Sequence, residues 1–145
     1  GHFALGVKEK NPRLAVTLFE LPEVIEKMKP GFPLELIAGN FFESIPRDKD
    51  AYLIKSILHD FNDEDSGKIL TNCASSMHGE SRLLVVESVL NSPYAYCMDI
   101  QMMVMTGGKE RNESEFRRLF EKSGFTLEKI YPTSTEFSIL ELKKE

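Results

Sequence analysis

The stretch AYLIKSILHDFNDED, Ala51 to Asp65, decides how the rest of the chain is read. A short apolar run, Ala51 to Ile54, ends on Lys55, and Ile57 and Leu58 lead into His59-Asp60-Phe61. Asn62-Asp63-Glu64-Asp65 then supplies a cluster of the kind that starts a helix, because first-turn N–H groups and the helix dipole favour such side chains. A buried strand that presents a titratable histidine just before a helix puts it at a sheet's carboxyl edge, where open α/β folds bind ligands.

Working upstream, Phe3, Ala4, Leu5 and Val7 predict a short helix between Gly1 and Asn11-Pro12. Leu14–Phe19 reads as a strand ending on Glu20, followed by Leu21-Pro22 and a helical stretch through Lys27. Pro30-Gly31-Phe32-Pro33 breaks the chain before a buried run at Leu34–Ala38, and Gly39-Asn40 opens an apolar loop, Phe41 to Pro46. Downstream, Asp63–Met77 is a helix with Ile69, Leu70, Cys73 and Ala74 on one side, and Ser81–Glu87 carries a central-strand run, Leu83-Leu84-Val85-Val86. A loop around Asn91-Ser92-Pro93 precedes a methionine-rich helix, Cys97 to Met105, stopped by Gly107-Gly108. Asn112–Ser123 is strongly helix-periodic, with Asn112 or Ser114 as N-cap and Gly124 at its end. Phe125–Tyr131 and Thr135–Leu142 complete the chain as two antiparallel strands. Strands alternating with helices as far as Glu87 predict a parallel sheet covered on both faces, with the terminal pair as its antiparallel edge.

With 145 residues, 41% hydrophobic and 28% charged, the chain is one soluble domain's worth of sequence. A net charge of −5 and a pI near 5.3 argue against nucleic acid or an anionic membrane as the main partner. No apolar run approaches the ~20 residues a membrane span needs, and no signal peptide is visible. Cys73 and Cys97 lack metal-ligand spacing and read as reduced thiols of a cytoplasmic protein, with no metal site.

Glu20, Gly39-Asn40, the Lys55–Asp60 segment and Glu87 all fall at carboxyl ends of predicted strands. A carboxylate there can accept both hydroxyls of a ribose; the alternative for Glu20 is an acid at a helix N-terminus. Gly1, ahead of a helix, can offer backbone N–H groups to a ligand.

From Thr17 to Leu142 the chain resembles the class I S-adenosylmethionine-dependent O-methyltransferases of the plant phenolic and bacterial small-molecule branch. The resemblance is carried by TLFELPEVIE (17–26), GNFFESIP (39–46), AYLIKSILHDFNDED (51–65), ILTNCASSM (69–77), RLLVVESVL (82–90) and GGKERNESEFRRLFEKSGF (107–125). It implies a Rossmann-like methyltransferase sheet, mostly parallel with an antiparallel C-terminal edge pair. Gly1 falls at the last glycine of the family's D-x-G-x-G-x-G turn, so the first strand is expected to be missing from this chain and supplied by an upstream segment. Residues 1–145 are thus expected to be the cofactor-binding catalytic domain, in part, of a longer homodimeric protein. By position, His59 matches the family's general base, and Glu87 and Glu110 the two acids that orient and support it. Glu20 stands where an aspartate normally binds the ribose. Asn40 and Phe41 stand at the adenine turn, where an aspartate is usual before the apolar residue, and the Asn40 carbonyl can still accept from the adenine amino group. Lys55 and Phe61 match a lysine and an aromatic beside the cofactor. Gln101 and Met105 are the expected acceptor contacts on the methionine-rich helix.

The chemistry explains why a histidine would need such neighbours. A phenol titrates near ~10 and a free imidazole near ~6.5, so proton transfer between them is uphill by roughly 5 kcal/mol. A carboxylate that stabilises the imidazolium, with the cofactor's positive charge favouring the phenolate, closes part of that gap. Taken alone, His59 reads as a polar cap, Glu87 as a strand-end acid paired with a lysine, and Glu110 as a surface residue between Lys109 and Arg111. The methionines at 98, 102, 103 and 105 read mainly as core, though flexible thioethers also suit an aromatic acceptor. The expected activity is methyl transfer to a hydroxyl of a small, aromatic acceptor. A member that binds the cofactor without methylating is the alternative. A nicotinamide-dependent oxidoreductase ranks last, because it leaves the HDF and GGKER blocks without a role.

Overall fold

The computed structural model of the chain describes residues 1–90 and 93–145, so Asn91 and Ser92 of the expected 91–93 loop lie outside the described residues. The chain forms two compact units, Gly1–Pro46 and Arg47–Glu145. No helix among the described residues is long and apolar enough to cross a membrane.

In the first unit, α1 (His2–Lys10) is followed by β1 (Thr17–Glu20), α2 (Pro22–Ile25) and β2 (Glu35–Ala38). β1 and β2 pair in parallel, Thr17 beside Glu35 and Glu20 beside Ala38. Both strand and helix are shorter than expected. Leu14 belongs to a turn, its N–H donating to Asn11 O at 3.0 Å, and past Ile25 the N–H groups of Lys27 and Met28 reach back only three residues. That tighter winding is how many short helices end.

In the second unit, β3 (Ala51–Lys55) leads through a 3₁₀ turn (Leu58–Asp60) into α3 (Asp63–Ser76). β4 (Arg82–Ser88), α4 (Pro93–Met105), α5 (Glu113–Lys122), β5 (Phe125–Pro132) and β6 (Phe137–Lys144) follow. The four strands form one sheet in the order β3-β4-β6-β5. β3 and β4 are parallel, while β6 runs antiparallel to both β4 and β5. The mixed α/β sheet with an antiparallel C-terminal pair is therefore as expected, and β6, last in sequence, lies inside it. Leu83, Val85, Val86 and Glu87 of β4 are all buried, the near-continuous burial of a strand covered on both faces.

Local chemistry sets the helix ends. The Asn62 side chain caps α3 by accepting from the Asp65 N–H at 2.9 Å, and Asp63, Glu64 and Asp65 fill its first turn. Ser66, Ile69, Leu70, Cys73 and Ser76 form its buried stripe, and burial pushes the Cys73 thiol up to about 12. α5 packs on β5 and α3 through Phe116, Leu119 and Phe120. Of the two candidate caps, Asn112 is the one used. It accepts from the Glu115 N–H at 3.0 Å while Glu115 Oε2 accepts from the Asn112 N–H at 3.0 Å, a reciprocal capping box. Replacing Asn112 with alanine should lower stability by ~1 kcal/mol, read as a lower denaturant midpoint at unchanged slope.

The methionine helix differs from expectation. It begins at Pro93 rather than Cys97, and it is not mainly core. Ala95 and Met102 are buried, but Met103 and Met105 are 62% and 69% exposed, as are Tyr96, Ile100 and Val104 to similar degrees. Only one side of α4 is packed, so helical spacing distributes its apolar residues between the interior and the surface.

Candidate active site

The carboxyl end of β3 carries the site. Ser56, directly after the strand, adopts a left-handed backbone, φ 52°, which a non-glycine residue holds only under constraint from its surroundings. Its N–H donates to Val86 O at 3.1 Å, which ties the turn to β4. The next two N–H groups, of Ile57 and Leu58, both donate to Glu87 Oε1, at 3.0 and 2.8 Å. Glu87 is fully buried, one residue beyond the Lys55–Val86 pairing, and thereby anchors the turn that holds His59.

The segment 107–111 approaches the same turn from the far side. α4 ends at Met105, and Gly107, two residues on, has a φ of 76° that suits a residue without a side chain. Gly108 then passes so close to the His59 turn that a Cβ on it would lie 2.0 Å from His59 O. The Lys109 N–H donates to His59 O at 3.0 Å and the Glu110 N–H to Asp99 Oδ1 at 2.9 Å. These contacts deliver Glu110, itself buried, to the imidazole.

His59 and the two acids singled out beside it are together. His59 Nδ1 lies 3.1 Å from Glu110 Oε1 and 3.7 Å from Glu87 Oε2, with the imidazole 15% exposed. Neither Glu87 Oε2 nor Glu110 Oε2 has a hydrogen-bond partner among the described residues. With both acids on the Nδ1 side, the tautomer that donates Nδ1–H to Glu110 leaves Nε2 as an acceptor. Its nearest acid is Asp60, at 3.8 Å. The hydrogen bond to Glu110 raises the His59 pKa; burial opposes this, and the charges of Glu87, Glu110 and Asp60 add to the rise. Burial likewise raises the Glu87 carboxyl, against the lowering effects of His59 and its two N–H donors. The arrangement can accept a proton at Nε2 and stabilise the resulting imidazolium through two carboxylates held in a low-dielectric setting.

The expectation of Glu110 as a surface residue, drawn from its charged neighbours alone, fails because the 107–111 segment folds inward. Arg111 was missed altogether. It is fully buried, and its guanidinium donates to Leu58 O at 2.8 Å, Phe61 O at 2.9 Å, Ser66 Oγ at 3.2 Å and Asp63 Oδ1 at 2.9 Å. No periodicity marks a single arginine as buried, and the carbonyls it serves become visible only once the turn is folded.

The expected cofactor residues divide between the two units. In the first, Glu20 and Gly39-Asn40 stand side by side at the carboxyl ends of β1 and β2, where the Gly39 N–H donates to Glu20 O at 2.9 Å. The Glu20 carboxylate has no side-chain partner among the described residues, which fits a group whose ribose diol needs an acceptor. A Cβ on Gly39 would lie 2.4 Å from the Phe19 ring, so any larger residue there would have to displace that ring. Asn40 Oδ1 accepts from the Phe42 N–H at 3.0 Å, and the Phe41 and Phe42 rings pack at 4.9 Å. Gly1 starts α1, its carbonyl accepting from the Leu5 N–H. In the second unit, Lys55 Nζ donates to Ser56 Oγ at 3.2 Å and sits 4.0 Å over the Phe137 ring, and Phe61 is half-buried beside the turn. Gln101 and Met105 touch each other, Nε2 to Sδ at 3.4 Å, on the exposed side of α4.

The chain as a whole is similar to known proteins. The model of the O-methyltransferase domain matches residues 1–126. The mitomycin biosynthesis 6-O-methyltransferase of Streptomyces lavendulae is 40% identical, over 91% of this chain and 41% of its own length. The phenazine O-methyltransferase PhzM of Lysobacter antibioticus is 40% identical, over 99% of this chain and 45% of its own. The structure of CalO1, a methyltransferase of calicheamicin biosynthesis in its SAH-bound form, superposes with a TM-score of 0.90 at 31% identity, covering all of this chain and 46% of that one. The chain thus spans less than half the length of these relatives. With the family model covering most of its residues, the chain belongs to the O-methyltransferase domain family.

Proposed function

We propose that the protein containing this chain transfers a methyl group from S-adenosylmethionine to a hydroxyl of a small aromatic acceptor, with His59 as general base. The observation that carries this reading is the imidazole held at Nδ1 by Glu110 and Glu87, with Nε2 left as an acceptor. The relatives' names support the substrate class, since phenazine and mitomycin O-methylation both concern small ring systems. When bound, S-adenosylmethionine supplies an electrophilic methyl group on a positively charged sulfur. His59 Nε2 takes the acceptor's hydroxyl proton as the oxygen–methyl bond forms, and Glu110 and Glu87 stabilise the charge that develops on the ring. Glu20 accepts from the ribose, Asn40 and Phe41 frame the adenine, Gly1 offers backbone to the cofactor, and Lys55 and Phe61 line its vicinity. Gln101 and Met105 contact the acceptor. Residues 1–145 serve as the cofactor-binding part of a cytoplasmic homodimer that engages neither nucleic acid nor membrane, in keeping with the net charge of −5.

A second reading has one observation in its favour. Asn40 replaces the aspartate expected at the adenine turn, and its carbonyl is already engaged by Phe42. A member that binds the cofactor without methylating would tolerate that change. Incubating the full-length protein with methyl-labelled S-adenosylmethionine and a panel of phenols decides between them. Label recovered on an acceptor oxygen supports transfer. Cofactor binding by calorimetry with no label on any hydroxyl would establish the second reading instead.

The raised His59 pKa adds a pH signature. A base works in its neutral form, so kcat/KM should rise with pH through the His59 value, at a pH above that of an ordinary imidazole. Glu110 supplies the largest upward influence, so Glu110→Gln should move that limb to lower pH. A limb that stays in place would assign the titration to another group.

A further inference from the structure

We propose that Arg111 is a positioning residue for His59, setting the imidazole against Glu110 by clamping the turn that carries it. Its effect on turnover rests on the reading of His59 as base; its effect on the imidazole does not.

The geometry is a bridge with both ends accounted for. Glu110 and Arg111 are consecutive, and one reaches the His59 side chain while the other reaches the backbone on either side of it. Arg111 Nη1 donates to Leu58 O at 2.8 Å and Nη2 to Phe61 O at 2.9 Å, so the guanidinium spans the turn at residues just before and two after His59. On the opposite side, Glu87 Oε1 accepts from the Ile57 and Leu58 N–H groups. The turn is therefore held through its N–H groups by one buried charge and through its C=O groups by another of opposite sign. The Arg111 backbone is fixed too, since its carbonyl accepts from the Leu90 N–H at 2.9 Å and it bridges to Val89 beyond the end of β4. A planar fork with several fixed donors can hold two carbonyls, a hydroxyl and a carboxylate at once, which a lysine ammonium cannot. Asp63 is the outer partner. Burial pushes its carboxyl up, but the Arg111 and Lys109 contacts outweigh this and hold it below the usual carboxylate value.

A purely structural arginine would contribute stability and leave the imidazole alone. A positioning arginine controls the 3.1 Å contact between His59 Nδ1 and Glu110 Oε1, and with it the pKa that contact raises. The test uses full-length protein with ¹⁵N-labelled histidine, the His59 signal assigned by its loss in His59→Ala. The variants are Arg111→Lys and the milder Asp63→Asn, which loosens the guanidinium from its exposed side without emptying the interior. In both, the His59 titration should move down toward an ordinary imidazole, further in Arg111→Lys. The kcat/KM limb should follow it, and kcat should fall about tenfold or more at little change in cofactor affinity. If either variant folds and keeps the wild-type His59 titration while losing only thermal stability, the proposal is overturned. Should Arg111→Lys not fold, Asp63→Asn alone decides by the same signal. The two readings fail separately: turnover retained in His59→Ala removes the base assignment, whereas an unmoved His59 titration removes the positioning role.

Discussion

Replacing His59 with alanine should lower methyl transfer by ~10²–10⁴-fold and leave S-adenosylmethionine binding nearly unchanged. In barrier terms that is ~3–5 kcal/mol, the contribution expected of one well-placed base. If His59 is the base proposed above, the loss should fall on kcat more than on KM, because the Nε2 interaction would then strengthen only as the acceptor's proton moves. Single-turnover transfer from labelled cofactor, set beside calorimetric affinity, measures both halves. Alanine also leaves Glu87 Oε2 and Glu110 facing one another in a buried space without the imidazole between them. His59→Gln separates the two effects, since its carboxamide can donate to Glu110 but cannot accept a proton at neutral pH. Transfer within threefold of wild type in both variants would remove His59 from the chemistry.

Gly108→Ala should be as damaging from outside the chemistry. The added Cβ would meet His59 O at 2.0 Å, Asp60 C at 2.6 Å and Asp60 Cα at 2.9 Å. All three are backbone atoms, so no rotamer change relieves the overlap; the 107–111 segment or the His59 turn must move by an ångström or more. The Lys109 N–H to His59 O hydrogen bond is next in the chain and would stretch with it, and Glu110 two residues on would be carried away from Nδ1. Overpacking of this kind costs ~1–3 kcal/mol of stability. Misplacement of a reacting group by about 1 Å costs ~10²-fold in turnover. Gly67→Ala is the control: it lies inside α3 in ordinary contact with Ser123 and should be neutral to stabilising, by up to ~1 kcal/mol. Chemical denaturation and turnover measured on the pair would show whether the close approach matters. Equal behaviour of the two variants would mean the segment is slack.

Local rules made much of this legible before folding. Asn62 ahead of three acids marks the start of α3, the Leu-Leu-Val-Val run marks a buried strand, and Phe116, Leu119 and Phe120 mark the inner face of α5 by spacing alone. The grouping of His59 with Glu87 and Glu110 was legible only through the resemblance, because residues 28 to 51 positions apart meet through sheet register and a folded-back loop. Arg111 shows the limit of charge counting. A cation among polar neighbours reads as a solvated face, yet here the carbonyls of a tight turn need a donor that no helix or strand supplies. The α4 methionines show the opposite error, since apolar residues at helical spacing do not say how much of the helix a neighbour covers.

The place of β6 has a consequence for how the chain is made. Leu142 pairs with Leu83 on one side and with Leu127 on the other, so β5 joins the sheet only through a strand translated after it. On a ribosome, β3, β4 and α3 can meet early, but β4 keeps an open edge until residues 137–144 emerge. Pairing across such long separations is slow to form. During that interval the apolar edge that will support Glu87 is exposed to other chains. Substitutions in the last strand should therefore reduce the yield of folded protein before they alter the behaviour of what folds.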